Sequence, residues 1–296
     1  MSQRIAVIGL GSMGYGMAQS CVRAGFRVHG MDVVPEAVER LMSEGGDHTP
    51  LDDVASALDA VVVMVLNAAQ VETVLFGDAG LVPKLRKGAV VLACATVPPD
   101  FAREMSAKCA AHGVLYLDAP VSGGAAKAAA GQLSIMASGE PEAFDAAADV
   151  LAATAATVFR LGDAPGAGSA MKAVNQMLAG VHIAAMAEAL TFGMTQNIAP
   201  ATFVDVISKC AGTSWMLENR SPHVVEGDYT PRSQVNIWPK DLGIVLDAAR
   251  AVGFDAPLTQ AALAQYVQAV EMGLGGQDDA AVAKVYAERS GLDLPN

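Results

Sequence analysis

Three polar side chains that could do chemistry lie together on one predicted helix of this 296-residue chain. Lys172, Asn175 and Gln176 share a helix face through the i, i+3 and i+4 spacings, and the run from Gly166 to Leu190 around them is mostly apolar. A buried ammonium costs free energy unless it is paired or can lose its proton. Acid–base catalysis would explain such a lysine, and so would a side chain that snorkels to the surface. The helix alone favours snorkelling, so the choice depends on the rest of the sequence.

A glycine-rich turn near the N-terminus has the spacing of a phosphate-binding loop. The apolar run 4–8 predicts a strand, the turn Gly9-Leu10-Gly11-Ser12-Met13-Gly14 follows it, and a helical pattern covers 15–24. In a dinucleotide fingerprint the first glycine makes the turn, the second lets the backbone approach the pyrophosphate, and the third allows close helix packing. Many glycine turns are purely structural, but here strand, turn and helix have the required order. We therefore predict that these six residues bind a dinucleotide.

The acidic residue that this fingerprint requires follows the next predicted strand. That strand covers 26–31 and ends at Asp32, with Val33 and Val34 next rather than an arginine. A carboxylate at this position hydrogen-bonds the ribose hydroxyls of the adenosine and repels a 2′-phosphate. The sequence thus predicts NAD as the cofactor, in preference to NADP.

Strand and helix patterns go on alternating through the first half of the chain. We predict strands at 60–66, 89–95, 114–117 and 133–137, and helical stretches near 36–44, 70–76, 79–86 and 100–112. This order predicts a mostly parallel, doubly wound α/β sheet, which binds ligands beyond the carboxyl ends of its strands. Three segments lie at those ends: Leu66-Asn67-Ala68, Ala95-Thr96-Val97-Pro98 and the run from Asp118 to Gly124.

The last of these segments could bind a carboxylate. Ser122 offers a hydroxyl, and Gly123 and Gly124 leave their backbone amides unobstructed. An ordinary glycine-rich turn is the alternative explanation, and the segment by itself favours that alternative.

The second half of the chain is predicted to be helical. We place a domain boundary near residue 164, which gives an N-terminal domain over 1–164 and an all-α domain over 165–296, joined through a long helix at 167–194. Breaks are expected near 197–200, 212–213, 221–231 and 253–257. Pro239 marks the start of a further helix, and Lys240 and Asp241 beside it would, without other support, be a solvated helix end.

Composition excludes several classes of partner. The net charge of -12 argues against nucleic acid, because phosphate binding requires a basic surface. The apolar runs 60–66 and 89–95 are too short to span a bilayer, and an N-terminus that passes straight into a strand leaves no room for a signal peptide. The cysteines and histidines show no metal-ligand spacing, so we expect no metal and no disulfide framework. These features predict a cytoplasmic protein without a membrane partner.

Taken together, these segments resemble the β-hydroxyacid dehydrogenases, the group that contains 3-hydroxyisobutyrate dehydrogenase and tartronate semialdehyde reductase. The resemblance covers essentially the whole chain. It rests on four motifs in the family's order: Gly9-x-Gly11-x-x-Gly14, Asp118-Ala-Pro-Val-Ser-Gly-Gly124, Gly166-x-Gly168-x-x-x-Lys172-x-x-Asn175 and Lys240-Asp241-Leu242. It implies an N-terminal Rossmann domain, a long connecting helix and a helical domain that builds a homodimer or homotetramer.

The resemblance also implies residue roles and a reaction, the oxidation of a small anionic hydroxy acid with NAD. Lys172 matches the catalytic lysine, and Ser122, Gly123 and Gly124 match the loop that binds the substrate carboxylate. Thr96 matches a threonine on the nicotinamide side of the cofactor. Leu66 and Asn67 are also predicted to bind the cofactor, because they follow a neighbouring strand at the same edge of the sheet. Lys240 matches the lysine that reaches cofactor and substrate when the domains close.

Two departures from the family pattern affect the choice of substrate. Many members carry Asn-Asn after the lysine, whereas this chain has Asn175-Gln176, so either amide could orient the substrate. The segment 211–220 differs from the semialdehyde reductases. Together with 174–185 and 119–131, it looks most like the L-threonate dehydrogenase subgroup. Trp215 would then form one wall of the substrate pocket, with Thr213, Ser214 or Asn219 as partners for the extra hydroxyls.

Two other functions stay open at this point. The same motifs serve a 3-hydroxyisobutyrate dehydrogenase or a reductase of succinic or tartronic semialdehyde. A protein of another class, a non-catalytic nucleotide-binding scaffold, could also use this fold, because a fold alone does not prove activity. The retained Lys172 argues against the scaffold.

Overall fold

The computed structural model describes residues 2–295, which form two compact units divided between Lys172 and Ala173. The boundary between the units falls within one long helix, whereas the predicted domain boundary at residue 164 comes just before that helix. Each unit has an architecture of its own.

The strands of the described residues all belong to the first unit. They are β1 (Arg4–Ile8), β2 (Arg27–Met31), β3 (Ala60–Val63), β4 (Val90–Ala93), β5 (Leu115–Asp118), β6 (Val121–Ser122), β7 (Leu133–Ala137) and β8 (Ala155–Arg160). The α-helices of this unit are α1 (Ser12–Arg23), α2 (Pro35–Ser43), α3 (Leu51–Val54), α4 (Ala68–Phe76), α5 (Pro99–Ala111), α6 (Gly124–Ala130) and α7 (Pro141–Thr154).

Helix α8 (Ala167–Thr195) begins in the first unit and continues into the second. The second unit adds α9 (Pro200–Ile207), α10 (Trp215–Glu226), α11 (Ile237–Ala251), α12 (Pro257–Glu271) and α13 (Ala283–Ser290). The predicted long helix over 167–194 and the all-helical second half are thus confirmed.

Five strands of the first unit form one parallel sheet in the order β2-β1-β3-β4-β5. The register aligns the strand ends in one row, with Met31 beside Ile8, Ile8 beside Val63, Val63 beside Ala93 and Ala93 beside Asp118. The segments that follow these strands therefore leave the sheet at the same edge. This confirms the predicted doubly wound parallel sheet, and it explains why distant motifs can serve one ligand.

The strands of this sheet are buried on both faces because helices cover both. Ile5, Val7 and Val62 pack into one apolar cluster, and the alternate residues Ala6 and Val61 pack into another. Since successive side chains of a strand point to opposite faces, a continuous apolar run is what two covered faces require.

A second sheet differs from the sequence prediction. Residues 133–137 form β7, as predicted, but β7 lies in a separate sheet of order β6-β7-β8, antiparallel to β6 and parallel to β8. Strand β8 (Ala155–Arg160) was not predicted. It is an edge strand with five exposed residues out of six, so its sequence lacks the buried alternation that marks a strand.

Two helical predictions also need correction. The stretch 79–86 contains only a single 3₁₀ turn over Val82–Lys84, because Pro83 supplies no amide for a longer helix. The break predicted at 221–231 starts later, since α10 runs through Pro222 and ends where Gly227 adopts a left-handed conformation with φ of 68°.

The second unit packs its helices around an apolar core that includes Ile183, Trp238, Leu242 and Tyr266. Gly180 of α8 permits a close approach, because a Cβ there would lie 2.8 Å from Leu242 Cδ2 and 3.0 Å from Trp238 Cε3. Within residues 2–295, α8 alone has the length and apolarity of a membrane span, with a mean hydropathy of 1.4, and half of its most apolar window is buried. A core helix passes the same test.

Candidate active site

The glycine turn after β1 has the backbone that a phosphate-binding loop needs. Gly9 has φ of +90°, and a Cβ there would lie 2.3 Å from Met64 O. A Cβ on Gly14 would lie 1.8 Å from Gly9 O, so the first turn of α1 packs directly on the loop. A Cβ on Gly11, by contrast, would meet nothing within 4 Å. The structure therefore requires Gly9 and Gly14 for its own packing, whereas Gly11 leaves open space beside the backbone.

The residues between these glycines have different surroundings. Leu10 is buried in the core of the sheet, Ser12 is exposed as the first residue of α1, and Met13 is partly buried. Gly11 is the N-cap of α1 and has no side chain to accept from the amides of the first turn. Free amides at a helix N-terminus bind anions, so the turn fits the pyrophosphate of a dinucleotide.

Asp32 is held by backbone amides at the end of β2. Its Oδ2 accepts from the amide of Leu10 at 2.5 Å, and its Oδ1 accepts from the amide of Val34 at 2.9 Å. These bonds fix the carboxylate against the glycine turn. An ionised carboxylate has about four acceptor positions, so each oxygen keeps capacity for a ribose hydroxyl.

The ends of β3 and β4 carry the next predicted cofactor residues. Asn67 is the N-cap of α4 and accepts from the amide of Gln70 at 2.9 Å, while Gln70 Oε1 accepts from the amide of Leu66 at 2.8 Å. Asn67 thus has a structural role, and the Leu66 side chain is 66% exposed. Thr96 is partly buried in the short connection between β4 and α5.

The predicted carboxylate loop follows β5 at the same edge. Ser122 ends β6 and is partly buried, while Gly123 and Gly124 have φ of +133° and +78°, which favour glycine. A Cβ on Gly124 would meet nothing within 4 Å, so this backbone stays open to a ligand.

Lys172 lies on α8 one turn after Ser169. It is 8% exposed, whereas a snorkelling lysine would present its end to solvent. This burial argues against snorkelling, and acid–base catalysis by Lys172 stays a prediction.

The second unit contains a row of polar side chains that starts on the same helix. Asn175 Nδ2 donates to Gln176 Oε1 at 2.9 Å, and Gln176 Nε2 donates to Asp241 Oδ2 at 2.5 Å. Lys240 Nζ lies 2.7 Å from Asp241 Oδ1. The structure thus brings together the predicted Asn175, Gln176 and Lys240.

Comparison with known proteins shows where these two units occur together. Residues 4–162 match the family described as the NAD binding domain of 6-phosphogluconate dehydrogenase. Residues 166–286 match the family described as NAD-binding of NADP-dependent 3-hydroxyisobutyrate dehydrogenase. An L-threonate dehydrogenase of Cupriavidus necator is 50% identical over 296 residues, which cover 100% of this chain and 99% of that protein. The chain belongs to the β-hydroxyacid dehydrogenase family.

Other β-hydroxyacid dehydrogenases agree with this assignment. A 3-hydroxyisobutyrate dehydrogenase of Pseudomonas aeruginosa is 38% identical over 86% of this chain and 88% of its own length. A crystal structure of a 3-hydroxyisobutyrate dehydrogenase from Salmonella typhimurium has a TM-score of 0.91 at 45% identity and covers 96% of this chain and 100% of that one. The predicted oxidoreductase with an NAD-binding N-terminal domain is therefore confirmed.

Asp118 was not predicted as a site residue of this β-hydroxyacid dehydrogenase, although it is the first residue of the motif Asp118-Ala-Pro-Val-Ser-Gly-Gly124. Asp118 is fully buried at the end of β5, and its Oδ2 accepts from the amides of Gly166 and Ser169, both at 2.9 Å. Its Oδ1 accepts from Ser169 Oγ at 2.6 Å. Ser138 Oγ, 3.2 Å from Oδ2, accepts in turn from the amide of Gly168 at 2.9 Å.

This cluster fixes the beginning of α8, the helix that carries Lys172. Burial raises the pKa of Asp118, while the hydrogen bonds from Ser169, Gly166 and Ser138 act in the opposite direction. A carboxylate among helix N-terminal amides compensates the positive end of the helix dipole. The sequence signal was an acid at the carboxyl end of a strand, but the amides that it binds are 48 and 51 residues away in the chain.

The residues of 211–220 that were predicted to surround the substrate differ in exposure and in their local hydrogen bonds. Trp215 is 56% exposed at the start of α10, whereas Trp238 is the tryptophan of the core. Ser214 caps α10 by accepting from the amide of Leu217 at 3.0 Å, and Thr213 donates to Glu218 at 2.8 Å. Both hydroxyls thus have local structural partners. Among the residues that the structure describes, no group of three His, Cys, Asp or Glu could hold a metal ion.

Proposed function

We propose that this β-hydroxyacid dehydrogenase oxidises L-threonate at its 2-hydroxyl to 2-oxo-tetronate (2-dehydro-L-erythronate) with NAD. The observation that carries the proposal is full-length similarity to proteins named L-threonate dehydrogenase. Besides the Cupriavidus necator protein, that of Pectobacterium atrosepticum is 46% identical over 98% of this chain and 95% of its own length. Of the proteins named 3-hydroxyisobutyrate dehydrogenase, that of Pseudomonas aeruginosa is 38% identical and the Salmonella typhimurium structure is 45% identical.

The residues of the first unit supply cofactor binding and proton transfer in this proposal. The glycine turn and Asp32 hold the pyrophosphate and the adenosine ribose, while Thr96 borders the nicotinamide. NAD held by these residues would supply the hydride-accepting chemistry of the oxidation. Lys172 accepts the proton of the 2-hydroxyl, and in the reverse direction its ammonium returns that proton.

The substrate is held by groups that match its own polar atoms. The amides of Gly123 and Gly124 and the hydroxyl of Ser122 donate to the carboxylate. A four-carbon sugar acid has further hydroxyls, for which Trp215 and its neighbours in 211–220 offer one wall and Asn175 or Gln176 an amide. Holding the hydroxyl in line with its acceptor groups is a large part of such catalysis.

A panel of hydroxy acids tests the proposal directly. Purified protein and NAD are mixed in turn with L-threonate, D-threonate, 3-hydroxyisobutyrate, D-glycerate and 4-hydroxybutyrate, and NADH is followed by absorbance. We expect the highest kcat/KM with L-threonate. NADH from 3-hydroxyisobutyrate but none from L-threonate would refute the substrate and support the alternative dehydrogenase. Tight NAD binding without turnover of any of these hydroxy acids would support the non-catalytic scaffold.

We also propose that the protein is a cytoplasmic homodimer or homotetramer. Met171, Val174 and Leu178 lie at i, i+3 and i+7 on α8 and are 44%, 52% and 53% exposed, an apolar stripe that a second copy would cover. The buried free cysteines Cys21 and Cys94 suit a reducing compartment. Light scattering after gel filtration measures the assembly, and a mass of about 30.3 kDa would refute it.

A further inference from the structure

The row Asn175-Gln176-Asp241-Lys240 in the second unit supports a division of roles among its members. We infer that Asp241 is a positioning residue that holds Gln176 and Lys240 in place, and that Gln176 acts through Asp241 rather than on the substrate. Asn175 is then the amide that meets the substrate. This inference rests on the proposed dehydrogenase function and concerns which residues orient its ligands.

Both ends of the Gln176 amide take part in the row, which leaves this buried group one N–H and one oxygen lone pair. Its Nε2 donates to Asp241 Oδ2 at 2.5 Å, and its Oε1 accepts from Asn175 Nδ2 at 2.9 Å. A carboxylate can only accept, so the chemistry itself orients the Gln176 amide with its nitrogen towards Asp241. Among the hydrogen bonds of residues 2–295, the Asn175 side chain contributes this one N–H, and it keeps its oxygen and second N–H for a ligand.

Asp241 is a buried charge that needs the partners it has. It is 2% exposed, and a carboxylate in such a place requires a cation and hydrogen bonds. Lys240 Nζ lies 2.7 Å from Oδ1, which makes no hydrogen bond of good geometry in the described residues, so this contact is an ion pair. Side chains at i and i+1 of a helix diverge, so Lys240 must turn back over α11 to reach its neighbour. The ion pair therefore fixes a long side chain in one direction.

The packing of the two helices explains why Gln176 reaches Asp241. Gly180, one turn after Gln176 on α8, lets Leu242 and Trp238 of α11 approach closely. Asp241, which precedes Leu242, contacts Gln176 one turn before Gly180 on α8. The Gln176 side chain, one methylene longer than that of an Asn, makes this contact. The Asn-Gln pair, a departure from the commoner Asn-Asn, thus has a structural use.

A double-mutant cycle tests the division of roles. The variants are Gln176→Ala, Asp241→Asn and their combination, with Asn175→Ala and Asn175→Ala/Asp241→Asn as a second cycle. We expect each single change to lower kcat/KM for the hydroxy acid about tenfold or more, and the Gln176/Asp241 double variant to lie within about threefold of the worse single one. The losses from Asn175 and Asp241 should instead multiply. Multiplied losses in the first cycle would show that Gln176 acts on the substrate by itself.

A matched control uses the same substitution on the same helix. Asp247 of α11 pairs with Arg250 at 2.7 Å, and both side chains are about three-quarters exposed, with values of 75% and 76%. Asp247→Asn should leave kcat/KM within about twofold of wild type, because exposed ion pairs contribute little. Coupling between Gln176 and Asp241 in Tm without coupling in kcat/KM would reduce Asp241 to a structural residue and overturn the inference.

A spectroscopic readout separates this inference from the proposed reaction. In protein labelled with ¹³C-lysine, the Cε resonance of Lys240 is assigned by its loss in Lys240→Arg. We expect Gln176→Ala and Asp241→Asn to shift it and Asp247→Asn to leave it in place. If the Lys240 resonance does not shift in Gln176→Ala, the positioning role is refuted, whether or not the enzyme oxidises L-threonate. An inactive wild type with the expected shifts would refute the reaction alone.

Discussion

Asp118 Oδ1 accepts a hydrogen bond of 2.6 Å from Ser169 Oγ, and this contact joins the end of strand β5 to the first turn of helix α8. Lys172 follows Ser169 by three residues on that helix, so this contact helps to fix the backbone position of the lysine. A Cβ on Gly168 would lie 2.7 Å from Asp118 O and 2.4 Å from Met136 O, which shows how closely the helix end approaches both sheets. The position of the proposed general base is therefore set by the sheets of the first unit.

Asp118→Ala should damage both stability and catalysis. It removes the acceptor for two amides and two hydroxyls in a buried site, and unsatisfied buried groups cost about 1–3 kcal/mol each before relaxation and entry of water. We expect the free energy of unfolding in urea to fall by on the order of 3 kcal/mol, and kcat to fall with it. Asp118→Asn keeps an acceptor and should lose less of both.

The control for this change is Asp100→Ala. Asp100 lies in the first turn of α5, pairs with Arg103 and is 91% exposed in its side chain. Its removal should change the free energy of unfolding by less than about 1 kcal/mol. Equal losses of unfolding free energy in Asp118→Ala and Asp100→Ala would show that the buried hydrogen bonds of Asp118 stabilise the fold no more than an exposed ion pair does.

Lys172→Ala should nearly abolish turnover while NAD still binds. General acid–base catalysis contributes about 10²–10⁴-fold, and a misplaced substrate adds to that loss. Activity is followed as NADH absorbance and NAD binding by calorimetry, with the exposed Lys209→Ala as control. A Lys172→Ala variant that keeps more than about a tenth of wild-type kcat would exclude the role of general base.

Substitutions of two glycines in the phosphate turn should distinguish an effect on folding from an effect on cofactor binding. Gly14→Ala places a methyl group 1.8 Å from Gly9 O, so we expect a large fall in Tm. Gly11→Ala places its methyl group in open space at an ordinary φ of -66° and should keep the Tm of wild type. Because that space is where the pyrophosphate would approach, Gly11→Ala should still weaken NADH binding about tenfold or more. Unchanged NADH affinity in Gly11→Ala would remove the turn from the cofactor site.

Asp32→Ala should relax the preference for NAD over NADP. The change removes the acceptor for the ribose hydroxyls and the charge that repels a 2′-phosphate. It also removes the acceptor for the amides of Leu10 and Val34, so some loss of stability is expected. The ratio of kcat/KM for the two cofactors is the readout, because it does not depend on the folded fraction. A ratio like that of wild type would contradict the role of Asp32.

The sequence was sufficient for those parts of the fold that local patterns determine. Buried strands read as continuous apolar runs, and the glycine turn, the strand before it and Asp32 lie within 32 residues of one another, so the cofactor-binding motif could be recognised. Strand β8 could not be recognised, because it is exposed and its pairing with β7 is a tertiary event.

The same distinction explains which site residues escaped prediction. Asp118 and Asp241 act on partners up to 51 and 65 residues away, and nothing in their local sequence specifies those partners. From its local sequence alone, Asp241 is interpreted as part of a solvated helix end. The close approach of α11 to Gly180 of α8 buries it, and helix packing of that kind is not encoded in a spacing of residues.

Acid stability should depend on Asp278, a carboxylate of the second unit. Burial acts to raise its pKa, but hydrogen bonds from His223 at 2.8 Å and from the amides of Arg232 and Ala280 prevail and lower the pKa to about 2. A carboxylate with a lowered pKa contributes stability that is complete above its unfolded pKa of about 3.9 and is lost as the pH falls towards 2. Asp278→Asn should therefore cost about 2 kcal/mol at pH 7 and much less at pH 2.

The difference in unfolding free energy between wild type and Asp278→Asn isolates this contribution. Buried Asp118 and Asp279 have raised pKa values, so their contributions change with pH in the opposite sense and shape the curve of wild type. Subtracting the variant removes what both proteins share. The exposed Asp255→Asn serves as control and should give a difference that stays flat from pH 7 to pH 2. A flat difference for Asp278→Asn as well would mean that its hydrogen bonds with His223 and the amides do not favour the ionised form.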